Sequence, residues 1–326
     1  MKVLGFIILG LIAIIAGGIL YLQFAFPKVD PAPSITITNT PALIERGEYL
    51  AHHVSVCIDC HSSHDWTAFS APPVPGTYGK GGDKFDKSMG FPGTFYAKNI
   101  TSDPETGIGN WTDGEIYRTI ISGVNKNGDP LFPIMPYQSY RHMTQEDLYA
   151  IIAYIRTLPP IKNKVPESDP DFPFSLILIT MPSNVTEPGE PVLDTDEAKG
   201  EYLVTIAGCR DCHTPRETEG KYLAGGSEFN MPNHSVLRSA NLTPDQETGI
   251  GNWTEEIFVK RFKMHEGETS GTKIGPNDFN TIMPWKMYAG MTEEDLKAIY
   301  RYLRTIPPIK NEIVKYTPPA DEAEKN

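Results

Sequence analysis

The chain has 326 residues, enough for two domains, and its 40% hydrophobic and 21% charged content is that of a folded protein rather than a disordered one. Its 29 Lys and Arg against 41 Asp and Glu give a net charge of −12, which argues against nucleic acid as a partner and favours an acidic face that steers a basic protein partner. Four cysteines are too few for a disulfide scaffold of this length, so their placement carries the information. Glycine and proline exceed a sixth of the chain, which predicts stiffened loops between short elements.

The amino terminus opens with Met1 and Lys2. An apolar run without charge follows from Val3 to about Phe26, and the next charge is Lys28. Roughly 20 apolar residues cross a bilayer as a helix, whereas the apolar core of a signal peptide is usually about 7–15. No Ala-x-Ala site follows the run. Residues 1–28 therefore read as an uncleaved single-pass anchor with the remainder exported; a cleaved signal is the alternative.

The rest of the chain repeats itself. Gly47-Glu48-Tyr49-Leu50 recurs at Gly200 to Leu203, and Cys57-Ile58-Asp59-Cys60-His61 recurs as Cys209-Arg210-Asp211-Cys212-His213. Glu105 to Thr112 recurs residue for residue at Glu247 to Thr254, and Ile134-Met135-Pro136 recurs as Ile282-Met283-Pro284. The blocks keep their order with offsets between 142 and 153, so insertions fall in loops. Two homologous domains follow, 40–165 and 193–312, joined by a linker at 166–192 and ending in an acidic tail at 313–326.

Each half reads as mainly α-helical. Helices are expected over 42–54 and 196–206, leading into the cysteine motifs. Leu148, Ile151, Ile152, Ile155 and Leu158 form one helical stripe. Thr144 and Thr292 resemble capping-box starts, as does Thr112 with Glu115, and the double prolines at 159–160 and 307–308 stop the last helix of each half. Little strand is expected. The second apolar stretch, Phe172 to Met181, is too short to span a membrane and reads as a linker strand packed on a domain.

All four cysteines lie in two Cys-x-x-Cys-His units. On a helix, positions i, i+3 and i+4 share a face, so Cys57, Cys60 and His61 meet one flat object together, as do Cys209, Cys212 and His213. Two thiols add to the two vinyl groups of haem and the histidine reaches the iron from the same side; this is the attachment signature of covalent haem c. A thioredoxin-like site would need a strand–helix context, and zinc pairs are usually spaced more tightly. The reading is two covalently bound haem c groups.

A shared fold should place its sixth iron ligand at matching positions. Most histidines have no counterpart, whereas Met89/Met231, Met135/Met283 and Met143/Met291 do. The last pair precedes a helix cap, where it can staple the helix, and the first lies in divergent sequence. Met135 and Met283 stand in the repeated Ile-Met-Pro, where proline stiffens a strap over the haem; the alternative is flexible core filler. Trp111 and Trp253 recur in the identical octets and read equally as donors to a haem propionate or as core residues.

Each half resembles a class I cytochrome c domain, in its Gly-x-Tyr-Leu helix, Cys-x-x-Cys-His unit, Met-Pro strap and terminal helix. The runs 99–112 and 134–140 look like those of the multihaem cytochrome c subunits of bacterial membrane-bound alcohol, gluconate and related dehydrogenases, and the resemblance covers about 43 to 312. It implies two tandem class I cytochrome c domains after an N-terminal transmembrane helix, with His61, Met135, His213 and Met283 on iron. Those subunits typically carry three such domains and lack this kind of anchor.

The expected role is a tethered dihaem cytochrome c at the bacterial inner membrane, with its haems on the periplasmic side. It would relay single electrons between a donor and the respiratory chain, and do no bond chemistry itself. Its partners would be redox proteins (a dehydrogenase, an oxidase or another cytochrome) bearing a basic docking patch. A dihaem peroxidase is the rival; it needs an iron with an open sixth site, against which the symmetric Met-Pro pair argues.

Overall fold

The computed structural model describes residues 2–185, 191–215, 220–231, 233–267, 272–275 and 278–319. The apolar run folds as α1 (Lys2–Ala25), 24 residues with no buried position. At 1.5 Å per residue it is about 36 Å long, against about 30 Å of bilayer hydrocarbon. It is the one described helix long and apolar enough to cross a membrane, a test that a signal sequence also passes.

The first half begins with α2 (Pro41–Tyr49), capped by Thr40, whose hydroxyl accepts from the Leu43 amide. The expected helix over 42–54 is therefore two elements, because α2 runs into a π-turn at Leu50–Val54 before α3 (Cys57–Cys60). The strands β1 (Lys84–Phe85) and β2 (Gly93–Tyr96) follow, then α4 (Asp113–Ser122), α5 (Tyr137–Tyr140) and α6 (Gln145–Ile155). Strand β3 (Asp169–Pro170) closes an antiparallel sheet of order β1-β2-β3. The stretch read as a linker strand instead forms a short helix, α7 (Phe174–Leu178). Pro173 precedes it, and the turn buries Leu178, 4% exposed, while leaving the adjacent Ile177 54% exposed.

The second half repeats the plan with α8 (Asp196–Ile206), α9 (Cys209–His213), β4 (Glu228–Asn230), β5 (Val236–Arg238), α10 (Glu255–Lys263), α11 (Trp285–Tyr288), α12 (Glu293–Thr305) and β6 (Tyr316–Thr317). Strand β6 completes a second sheet, as β3 does the first. The strands are few and at most four residues long, as the sequence implies.

The caps form as read, with one difference. Thr112 and Glu115 make a full capping box on α4, whereas Thr144 and Thr292 cap α6 and α12 through the hydroxyl alone, because the third residue of each helix is aspartate, one methylene shorter than the box requires. Within each half the first helix crosses the last at close range. A Cβ on Gly47 would stand 1.8 Å from the Ala150 carbonyl oxygen, and one on Gly200 would stand 2.0 Å from that of Ala298. Contact this tight requires glycine, which accounts for the repeated Gly-x-Tyr-Leu. Most of the buried apolar residues form one core across both halves, from Leu50, Leu148 and Ile151 to Leu203, Leu296 and Ile299.

The halves also meet through polar contacts. The Ser139 hydroxyl of α5 donates to Asp211 in α9 at 2.9 Å, and His53 in the π-turn hydrogen-bonds the Met287 carbonyl of α11 at 2.8 Å. Residues 67–70 of the first half run along the second. Phe69 N bonds Thr272 O, Ile274 N bonds Thr67 O, and the Ser70 hydroxyl donates to the Met283 carbonyl at 2.7 Å.

Candidate haem sites

Both cysteine motifs start in the same way. A left-handed residue, Val56 (φ 44) before α3 and Gly208 (φ 67) before α9, turns the chain from the preceding helix into the motif. Glycine takes this conformation readily, but a β-branched valine does so only where the surroundings enforce it. The π-turn accounts for the extra residue between Leu50 and Cys57, since the second half has one fewer between Leu203 and Cys209. The registers then coincide again. Tyr140 Oη donates to the Ser55 carbonyl, and Tyr288 Oη to the matching Ala207 carbonyl, both at 2.6 Å.

In the first half, Cys57, Cys60 and His61 line a cavity of about 930 Å³ that Met135 and Pro136 also line. The volume lies toward the upper end of the range for cofactor pockets, ~300–1,000 Å³. Its walls are largely apolar, with Ile116, Ile120, Ile151 and Ile155 from α4 and α6, while Trp111, Asn99 and Lys164 add polar groups. The structure therefore brings four sequence-predicted residues, and Trp111, to one space.

The histidine is oriented by the backbone. His61 Nδ1 lies 2.7 Å from the Lys98 carbonyl, and His213 Nδ1 lies 2.7 Å from the Ala240 carbonyl. A carbonyl only accepts, so Nδ1 carries the proton and Nε2 keeps its lone pair. Burial also holds both imidazoles below their ordinary pKa, in the neutral form that ligates a metal.

All four cysteines have free thiols. Burial pushes Cys57 and Cys209 each up to about 12 and raises Cys60 as well, the nearby Asp59 adding to the effect at Cys60. The paired thiols, the adjacent imidazole with its free Nε2 and the apolar cavity fit a covalent haem.

The Met-Pro segments share one backbone shape. Pro136 (φ −81, ψ 54) sits in an inverse γ-turn closed by Tyr137 N to Met135 O at 2.8 Å, and Pro284 (φ −78, ψ 62) in one closed by Trp285 N to Met283 O at 2.7 Å. The turn holds each methionine in place ahead of the short helix α5 or α11. Each is only half-buried while packing against the core. Met143 and Met291 are fully buried, as helix staples would be, although Met143 also reaches the cavity wall. In the second half Cys209, Met283 and Trp253 pack against the same core as their counterparts, and His213 is 8% exposed.

Three features were not read from the sequence as parts of the site. The π-turn is signalled only by a change of offset from 153 to 152. The Ser70 contact with the Met283 strap lies in a loop without a counterpart. His64 lies between Asp59 of the motif and Asp83, within ion-pairing distance of both carboxylates.

No protein-family model matches the chain. Among individual proteins, it is 32% identical over 292 residues to the cytochrome c subunit of a quinone alcohol dehydrogenase from Gluconobacter oxydans, covering 82% of this chain and 55% of that one. The cytochrome c subunit of gluconate 2-dehydrogenase from Pantoea cypripedii is 30% identical, covering 81% and 60%. A dihaem cytochrome c-type protein from Cereibacter sphaeroides is 27% identical over 313 residues, covering 92% of this chain and 98% of that one. The chain is a homologue of these cytochromes c. It spans little more than half the length of the dehydrogenase subunits and nearly all of the dihaem protein.

Proposed function

We propose that the chain is a membrane-tethered cytochrome c of two tandem class I domains, 40–165 and 193–312, carrying two covalent haems and relaying single electrons from a periplasmic-side donor to the respiratory chain. The observation that carries this reading is the first cavity, where Cys57, Cys60 and His61 share one space with Met135. Cys209, Cys212, His213 and Met283 would do the same in the second half. A haem held there supplies reversible one-electron exchange at iron. The chain's own residues attach it, present Nε2 of His61 and His213, hold the methionine sulfurs in the two γ-turns and keep the pocket apolar.

The relatives support electron transfer rather than peroxide chemistry, since they are named as cytochrome c subunits of dehydrogenases and a dihaem cytochrome c. With Met135 and Met283 as ligands, neither iron would have the open sixth position that a peroxidase needs. The donor we favour is a dehydrogenase. With a net charge of −12, the chain would dock on a basic patch of its partner, with salt weakening the encounter. α1 would anchor the protein in the inner membrane with both domains outside.

The test is a haem stain of the denatured, matured chain, combined with its intact mass. Two haems per chain are expected, falling to one in Cys209→Ser/Cys212→Ser. A colourless chain of unmodified mass would overturn the reading, and peroxide turnover with a high-spin spectrum would replace it with the enzymatic one.

A further inference from the structure

The segment that joins the halves is built onto the exit of α1. Lys28 forms a parallel bridge with Ser183, the Asn184 amide donates to the Lys28 carbonyl at 3.2 Å, and the Asp30 amide donates to Asn184 Oδ1 at 2.6 Å. The end of α1 carries the marks of a membrane boundary. Tyr21 and Phe24 are exposed, and the Lys28 ammonium lies 5.1 Å over the Phe26 ring. Lys28 and Asn184 therefore sit close to where the chain would leave the bilayer.

α7 lies just before this tether. Ile177 is six residues from Ser183, so at most about 21 Å of chain separates them, and the turns closing at Thr180 and Met181 shorten it further. The two sides of α7 differ. Leu178 is buried and, with Ser175 and Ile179, walls the first cavity. Phe172 and Ile177 point away, 77% and 54% exposed. Large apolar side chains exposed this fully beside a membrane exit mark a lipid-facing surface.

We propose that the turn 171–181 rests on the bilayer beside α1, with Phe172 and Ile177 in contact with lipid, so that the first cavity is held at the membrane surface. This rests on reading α1 as an uncleaved anchor. It gives the tether a defined orientation and places the first haem site within reach of a membrane-embedded electron partner. A single helical span followed by a loose chain would leave the domains free to tumble; a second lipid contact removes that freedom.

The test is hydroxyl-radical footprinting of the full chain in lipid nanodiscs, each residue normalised to its intrinsic reactivity. Phe172 and Ile177 should be labelled at least five-fold less than Val314, which is 71% exposed in the second half. Labelling equal to that of Val314 would overturn the proposal. An alkaline wash of vesicles carrying the chain separates the two failures. A chain that washes off sinks the anchor, whereas a retained chain with fully labelled Phe172 sinks only the lipid contact.

Discussion

Tyr49 of the first half donates its hydroxyl to Asp295 of the second at 2.5 Å, and the equivalent Tyr202 of the second donates to Asp147 of the first at 2.6 Å. The sequence repeat thus becomes a two-fold interface of the chain with itself. Each tyrosine oxygen also accepts the amide of the threonine that caps the opposing helix, Thr292 or Thr144, at 3.2 Å. Each aspartate has one cation from its own half. Arg46 grips Asp147 with two bonds of 2.8 and 2.9 Å, whereas Lys199 reaches Asp295 with one of 2.5 Å. Both aspartates are buried. The arrangement ties the two halves, and with them the two cysteine motifs, into one fixed relation.

Removing either hydroxyl should destabilise the loaded protein. A buried carboxylate that loses one donor is left partly unsatisfied, at about 1–3 kcal/mol. Tyr49→Phe should cost more than Tyr202→Phe, because Asp147 retains a forked guanidinium and Asp295 only an ammonium. Guanidinium unfolding midpoints of the two variants check the order. Equal midpoints to the parent would mean that the interface is held by apolar contact alone.

Gly47→Ala and Gly200→Ala test the helix crossings. The added methyl meets backbone oxygen in both cases, so the helices must part, and overpacking of this kind costs about 1–3 kcal/mol or more. Each variant should lower the unfolding midpoint, and Gly47→Ala should widen the first cavity, seen as a shifted Soret band of one haem only. A Gly5→Ala control, in the open surroundings of α1, should do neither.

Much of the helical plan is legible in the chain because the repeat prints each motif twice. The caps at Thr112, Thr144 and Thr292, the stripe on α6 and the pairing of Met135 with Met283 all follow from local pattern. The two-fold contact was not readable. Tyr49 and Tyr202 look like parts of a helix motif, and only tertiary packing places them opposite Asp295 and Asp147, some 250 and 55 residues away. The run 172–181 reads as strand yet folds as α7, because a short apolar run bounded by proline suits strand and helix alike. The Met283 strap is also held from the other half, since the Ser70 hydroxyl donates to its carbonyl and the Ser70 amide to Asn280 Oδ1, contacts that no periodicity in these loops signals.

His64 gives a pH dependence. Burial alone would lower its pKa, but hydrogen bonds and charge from Asp59 and Asp83 outweigh that and push it up to about 10. The folded value lies above the ordinary 6.5, so the ion pairs contribute fully below pH 6.5 and are lost as pH rises through about 10. The stability difference between the parent and His64→Gln should be largest at pH 6 and vanish above pH 10. Unfolding midpoints at pH 6, 8 and 10 measure it; a difference that grows with pH would contradict the assignment. Asp59 lies inside the first cysteine motif, so the variant should also broaden the spectrum of that haem.

The ligand assignment is tested by removing one ligand at a time. Thioether sulfur opposite imidazole favours the reduced iron, so Met283→Ala should lower the potential of one haem by on the order of 100 mV, within the ~0.8 V range that axial ligands span. Attachment should survive, because Cys209 and Cys212 are untouched. Met135→Ala should do the same to the other haem, and the pair of titrations would assign each potential to its half. His61→Ala should abolish normal ligation in the first half alone. The second histidine is held by its own backbone carbonyl, that of Ala240, and does not depend on the first motif. An unchanged redox titration in Met283→Ala would move the sixth ligand elsewhere, and loss of both haems in His61→Ala would show that the two-fold interface, rather than each half, is the unit that folds around haem.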